Sequence, residues 1–282
     1  MLIYFNQRFR KYLGTTLLEL MLAMTLGLAI VSMLLEVYLV SKRNDQLQMA
    51  LIRIQDNANR AISIMNAALQ KAGHIGCSRL TKTFLVTAYP PYSITSTNKL
   101  IGKNNEFTVR YAEISGDNLI AMHDPSILYT TTKIHFSPGD ILMIADCTQA
   151  EIFQAADVFV SKSQQKIISS HPLRHPFTPH AEISRLKINN YFIAKTMRTN
   201  TDGTPIYSLF MEDIHRRKAE LVENLTQMKL LYSIKQNGKL MDVSADNIAD
   251  WSQVVGVSMA FNLVSEKIKK TWYAYIALSG EK

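Results

Sequence analysis

The 282-residue chain carries 31 Lys and Arg against 23 Asp and Glu, a formal charge of +8, and 47% of it is apolar. The basic excess is scattered, so it speaks for a soluble surface with weak attraction for anions and against a nucleic-acid groove. The length suffices for one sizeable core beyond a membrane anchor.

At the N-terminus, Arg8, Arg10 and Lys11 precede Gly14 with no acidic residue among them. Without these three, 28 basic residues remain against 23 acidic, a charge of +5. Residues 20–35 carry no charge, and Glu36 is the first charged residue after Glu19. The apolar stretch 17–40 has 24 residues, about 36 Å as helix and enough to cross a bilayer. Basic residues ahead of it keep 1–13 in the cytoplasm and send the chain beyond Val40 outside. A secretory signal would show small residues at a cleavage site behind its apolar core, and Leu34-Leu35-Glu36-Val37 offers none. Only Glu19 departs from a plain signal anchor. An ionised carboxylate in hydrocarbon costs a few kcal/mol, less near the interface, where snorkelling is the alternative use of this side chain.

Beyond Val40 the pattern turns amphipathic without a break. Leu47, Leu51, Ile54, Ala58, Ala61, Met65 and Leu69 recur at three- and four-residue steps, one stripe of a helix. No proline precedes Pro90, and no glycine lies between Gly27 and Gly73, so the spacing predicts one helix over 15–72 closed by Gly73. A coiled coil is the alternative for this stripe, but it lasts barely three heptads and lacks a flanking charge code. Packing on a head domain is the preferred reading.

Short strands and loops are predicted from Cys77 onward. They include 84–86, an alternating strand at 107–112, an apolar one at 141–145 behind Pro138-Gly139-Asp140, and another at 150–160. Strands at 191–194 and 206–210 flank a hairpin tip at 199–203. A short amphipathic helix is expected at 219–225, then a strand at 228–234 and an Asn237-Gly238 turn. A half-buried strand at 255–263 and an edge strand at 272–278 complete the chain.

His171, His175 and His180 lie in a proline-rich loop and could converge on a metal. Pro172 and Pro176 exclude the helix that would align them, and no carboxylate lies between His171 and His180, so solvated loop histidines are expected. Thr201-Asp202-Gly203 lacks the further oxygen ligands of a calcium loop. No Gly-x-Ser-x-Gly, Walker or dinucleotide fingerprint occurs, and neither an enzyme nor a cofactor is expected. Tyr89, Tyr92, Tyr207, Tyr232, Tyr273 and Tyr275 could make a recognition patch, although core and cross-strand packing is the commoner use of tyrosine.

Cys77 and Cys147 are the only cysteines, both in the segment placed outside the cytoplasm. A disulfide between them would close a loop of about 70 residues and contribute roughly 3–4 kcal/mol in the chain-entropy picture. Two buried thiols are the alternative. A metal pair lacks ligands at finger spacing, His74 standing alone.

The run Gly14-Thr15-Thr16-Leu17-Leu18-Glu19-Leu20, between a basic leader and an apolar stretch, closely resembles the class III signal of type IV pilins and pseudopilins. That resemblance implies cleavage after Gly14 by a prepilin peptidase and methylation of the new Thr15 amine. It also implies that Glu19 pairs with the amine of an adjacent subunit. The family usually has phenylalanine where this chain has Thr15. Gly73-His74-Ile75-Gly76-Cys77 resembles the Gly-Tyr-x-Gly-Cys element of PilW-type minor pilins, and 139–147 their strand with the second cysteine. Residues 221–225, Leu231-Tyr232 and 251–257 are similar to their C-terminal block, while 92–137 and 162–211 show little likeness.

The resemblance implies an α+β fold, a long N-terminal helix packed on an antiparallel β-sheet head. Its parts would be a cleaved leader (1–14), a transmembrane helix (15–40), an amphipathic continuation (41–79) and a periplasmic head (80–282). The implied function is that of a minor pilin priming assembly near the tip of a Gram-negative type IV pilus. Implied partners are the prepilin peptidase, other minor pilins, the major pilin, a large tip adhesin and the inner membrane, with no nucleic acid. The chain would reside in the inner membrane with a periplasmic head and then in the pilus. A type II secretion pseudopilin and a signal-anchored periplasmic enzyme or receptor are the alternatives.

Overall fold

A computed structural model describes residues 17–76, 79–81, 84–200, 203–236, 238–265 and 268–278. One uninterrupted helix, α1, occupies Leu17–Lys71. The chain divides into two compact units within this helix, between Ile52 and Arg53. In the first unit every described residue from 17 to 49 is exposed.

In the second unit α1 buries one stripe. Ile54, Ala58, Ala61, Met65 and Leu69 are each at most 2% exposed. Leu47 and Leu51 continue the same periodicity but stand 43% and 38% exposed. Periodicity marks a face, not the length over which something covers it. At the helix end Gly73 takes a φ of +73°, a left-handed conformation that costs little without a Cβ. The His74 amide then donates to the Lys71 carbonyl (3.0 Å) and the Gly73 amide to Arg110 (2.9 Å), fastening the helix end to a strand.

Fifteen strands follow among the described residues. The first eight are β1 (Leu85–Thr87), β2 (Leu100–Gly102), β3 (Glu106–Ala112), β4 (Asp117–Asp124), β5 (Ile127–Thr130), β6 (Ile141–Ala145), β7 (Gln149–Val160) and β8 (Gln165–Ser169). The others are β9 (Glu182–Thr199), β10 (Pro205–Glu212), β11 (Lys218–Glu223), β12 (Leu225–Gln236), β13 (Lys239–Val243), β14 (Val254–Ser265) and β15 (Ile268–Ala277). They form an 11-stranded sheet and a four-stranded one ordered β13-β12-β14-β15. The single parallel pairing among the described strands is β1 with β7. β9, at 18 residues, is the spine of the larger sheet and pairs with β3, β4, β6 and β10.

The buried apolar residues fall into three clusters rather than the one sizeable core expected. The largest joins the α1 stripe to Phe107, Tyr232, Val257 and Phe261. A second surrounds Leu128, Phe153 and Phe177, and a third Ile94, Ile152 and Leu186. β9 contributes to all three, through Tyr191, Ile183 and Leu186. The α+β architecture thus holds, with strand content dominating the second unit.

The helix expected at 219–225 is a strand. β11 pairs antiparallel with β10, and Asn224 adopts a φ of +63°, ending the strand where a helix would have to continue. The extended form gives Glu220 cross-strand partners: it accepts from Ser208 Oγ (2.7 Å) and pairs with Arg198. Such neighbours outweigh the weak helical preference of a seven-residue segment.

Candidate functional site

Glu19 lies in the first turn of α1, where the helix dipole favours a carboxylate. The next charge, Glu36, comes 17 residues later, about 25 Å along the helix and close to the ~30 Å of a hydrocarbon core. Among the described residues α1 is the one helix long and apolar enough to cross a membrane, with a mean hydropathy of 2.2 over its best window. Its hydroxyls are satisfied within the helix. Thr25 Oγ1 donates to the Leu22 carbonyl and Ser32 Oγ to that of Leu28, each at 2.9 Å. This internal bonding suits hydrocarbon, where no water would satisfy them. The first unit is therefore a candidate single membrane span with a carboxylate near its start.

Gly14 and Thr15 lie outside the described residues, as does Cys77. Cys147 is exposed in the turn behind β6. That turn is shaped by Asp146, whose Oδ1 accepts from the Thr148 amide (2.7 Å), the Thr148 hydroxyl (2.7 Å) and the Gln149 amide (2.8 Å). Burial works to raise the Asp146 carboxyl, but the donors from Thr148 and Gln149 outweigh it and hold the group below its ordinary range. On the other side, Gly76 adjoins Cys77 with a φ of +86°, and a Cβ there would come within 3.2 Å of Glu182 Oε2. Glu182 is also the register partner of Ala145, two residues before Cys147. The segments flanking the two cysteines meet at one glutamate.

His74, in the same element, is half-buried and bridges to Arg79. Burial pulls its imidazole below the ordinary 6.5, Glu182 opposing and Arg79 adding to the shift. The folded state thus binds its proton more weakly than the unfolded chain. His74 contributes stability that is present above pH 6.5 and lost as pH falls below it through the depressed folded value. The melting temperature should therefore drop between pH 7 and pH 5, and His74→Gln should flatten that slope. An unchanged slope in the variant would remove His74 as its source.

Elsewhere in the second unit charged side chains serve one another. A cleft of about 400 Å³ contains Arg185, which donates to Asp140 (2.9 Å) and approaches Glu113 (3.6 Å), and Lys187, which lies 3.5 Å from Glu113. Arg217 closes on Asp213 at 2.7 Å. These opposite charges largely cancel, leaving the cleft little net pull on a ligand.

Two histidines of the loop, His171 and His175, are part-buried and fastened, whereas His180 is exposed as expected. His171 stacks on Tyr89 with centroids 4.6 Å apart, and His175 Nε2 lies 3.0 Å from Thr87 Oγ1. The buried Glu151 carboxylate, from β7, accepts the amides of Arg174 and His175. His180 sits at a φ of +77°, its amide bonded to Leu119. The three histidines engage different neighbours and do not converge. The tyrosines divide as well: Tyr232 is buried, and Tyr273 and Tyr275 are exposed.

No family model, no curated protein and no solved structure matches this chain.

Proposed function

We propose that this chain is a minor pilin of the PilW type, a non-catalytic subunit that helps prime type IV pilus assembly near the tip. The observation that carries the reading is α1. Its exposed, apolar N-terminal stretch has a carboxylate in the first turn and runs on into a stripe buried against a β-rich head. On this reading 17–40 holds the subunit in the inner membrane with the head in the periplasm, and later lies in the filament core. Cleavage occurs after Gly14, and the ammonium of Thr15 pairs with Glu19 of a neighbouring subunit. A Cys77–Cys147 disulfide would bind the helix end to the strand β6. The partners are the prepilin peptidase, other minor pilins, the major pilin and a tip adhesin.

Mass spectrometry of the non-reduced mature protein, from a host with active prepilin peptidase, tests this directly. The expected chain begins at a methylated Thr15 and contains the Cys77–Cys147 bridge. Retention of Met1 or residues 2–14 would overturn the pilin reading and favour a signal-anchored periplasmic protein. Freely alkylated thiols in the denatured protein would remove the disulfide alone.

A further inference from the structure

We infer that the outer face of the four-stranded sheet is a binding site for an acidic polysaccharide, a chain of uronate type. This goes beyond the pilin reading and does not rest on it. The register of β12, β14 and β15 sets three cross-strand rows on this face: Gln227–Asn262–Thr271, Lys229–Ala260–Tyr273 and Leu231–Ser258–Tyr275. In two of the rows the central strand contributes the small Ala260 and Ser258 between the longer Lys229 and Tyr273, and Leu231 and Tyr275, of the flanking strands. A trough of about 600 Å³ results. Its flanking strands lie two strand spacings apart, about 10 Å, the width of a single sugar chain.

The walls have the chemistry of a glycan seat. Tyr273 is 78% exposed because its cross-strand neighbour Ala260 covers little of the ring. Tyr275, 54% exposed, lies over Gly256, where a Cβ would come within 2.4–2.8 Å of the ring and its hydroxyl. Gly256 thereby lets this tyrosine lie down on the sheet, and its outer surface becomes a platform. Part of the role of Tyr275 is thus to stabilise the sheet; Tyr273 has no such duty. Beside them, Thr271 Oγ1 donates to Asn262 Oδ1 (2.8 Å) and Asn262 Nδ2 to Gln227 Oε1 (3.0 Å). This fixed row still offers the Gln227 amide donors and the Thr271 oxygen to ligand hydroxyls.

Charge selects the class of sugar. A second hollow of about 570 Å³ shares Asn262 and Thr271 with the trough and extends it towards Lys269 and Lys270. Among the described residues lining the two hollows, the charged ones are Lys229, Lys269 and Lys270. Asp242 on β13 borders the face with its negative charge, its oxygens accepting from Ser233 (2.5 Å) and Ser258 (2.9 Å), and the three lysines outweigh it. Aromatic faces, amide and hydroxyl partners, and lysines at both hollows together match a polyhydroxylated anion.

The test is a fluorescence-polarisation titration of the full chain in detergent micelles with a labelled oligogalacturonate. Saturable binding is expected, weakening as salt is raised because the lysine contacts are screened. Tyr273→Ala and Lys229→Gln should each weaken it at least about fivefold at an unchanged melting temperature. A dextran of equal length should bind at least about tenfold more weakly, since it offers the lysines no charge. The inference is overturned by any of four results: no saturable binding, variants that bind like the parent chain, dextran that binds equally, or an oligothymidylate that competes as strongly as the uronate. The last would assign the face to nucleic acid.

Discussion

Gly102→Ala is expected to destabilise the head by about 2–4 kcal/mol. Gly102 ends β2 opposite Phe107, and a Cβ there would fall 1.9 Å from Tyr232 Oη, 2.7 Å from Cζ and 3.1 Å from the Glu106 carbonyl oxygen. Tyr232 cannot swing away. It is fully buried, its hydroxyl donates to the Lys103 carbonyl (3.0 Å), and its ring meets Trp251 edge-on at 4.9 Å. Burial, with Glu106 adding to it, raises the phenol above its ordinary range and keeps it a neutral donor. Tyr232→Phe alone should cost about 1 kcal/mol for the lost hydrogen bond. Combined with Gly102→Ala it should cost less than the sum, because the atom closest to the new methyl is gone. Denaturant unfolding of the four proteins measures this coupling. Strict additivity would show that Tyr232 is not what the methyl meets.

Much of the frame is legible in local pattern. A continuous apolar run that passes into a three- and four-residue stripe, with no breaker before Gly73, defines α1 because a helix records its own periodicity. Strands such as β3, β6 and β14 are legible from alternation or from an apolar run behind a turn. What local pattern does not record is partnership. Residues 219–223 form a strand because β10 is beside them, and Leu47 stays exposed although it matches Ile54 in phase. Glu151 sits in an apolar strand segment, and nothing near it in sequence announces that a loop more than 20 residues away will bury it. The fastening of the histidine loop is invisible in the sequence for that reason. At the candidate site, Glu19 is legible as a charge in an apolar run. The sorting of Tyr232 from Tyr273 and Tyr275 needs the register of three strands.

Glu19→Ala is expected to abolish or severely reduce piliation at near-normal levels of the protein, a prediction that rests on the minor-pilin reading. The substitution removes a carboxylate from the start of the span, and with it a desolvation cost of a few kcal/mol at most. Synthesis, insertion and cleavage after Gly14 should therefore proceed. Assembly differs, because there a subunit must enter a bundle whose surroundings are hydrocarbon. Each incoming amine at Thr15 is a charge that the low dielectric penalises unless an opposite charge meets it, and the same low dielectric strengthens the pair once formed. Without Glu19 that amine keeps its cost and finds no neighbour at the registered depth. Glu19→Gln separates charge from shape: it retains the size and can accept a hydrogen bond but offers no counter-charge, so it should fail nearly as badly as alanine. The measurement is pilus yield set against immunoblots of the processed subunit, in a background where deletion of the gene abolishes pili. Wild-type piliation by Glu19→Ala would reduce Glu19 to an incidental charge at the membrane edge, and piliation by Glu19→Gln but not by Glu19→Ala would make its role one of hydrogen bonding rather than charge pairing.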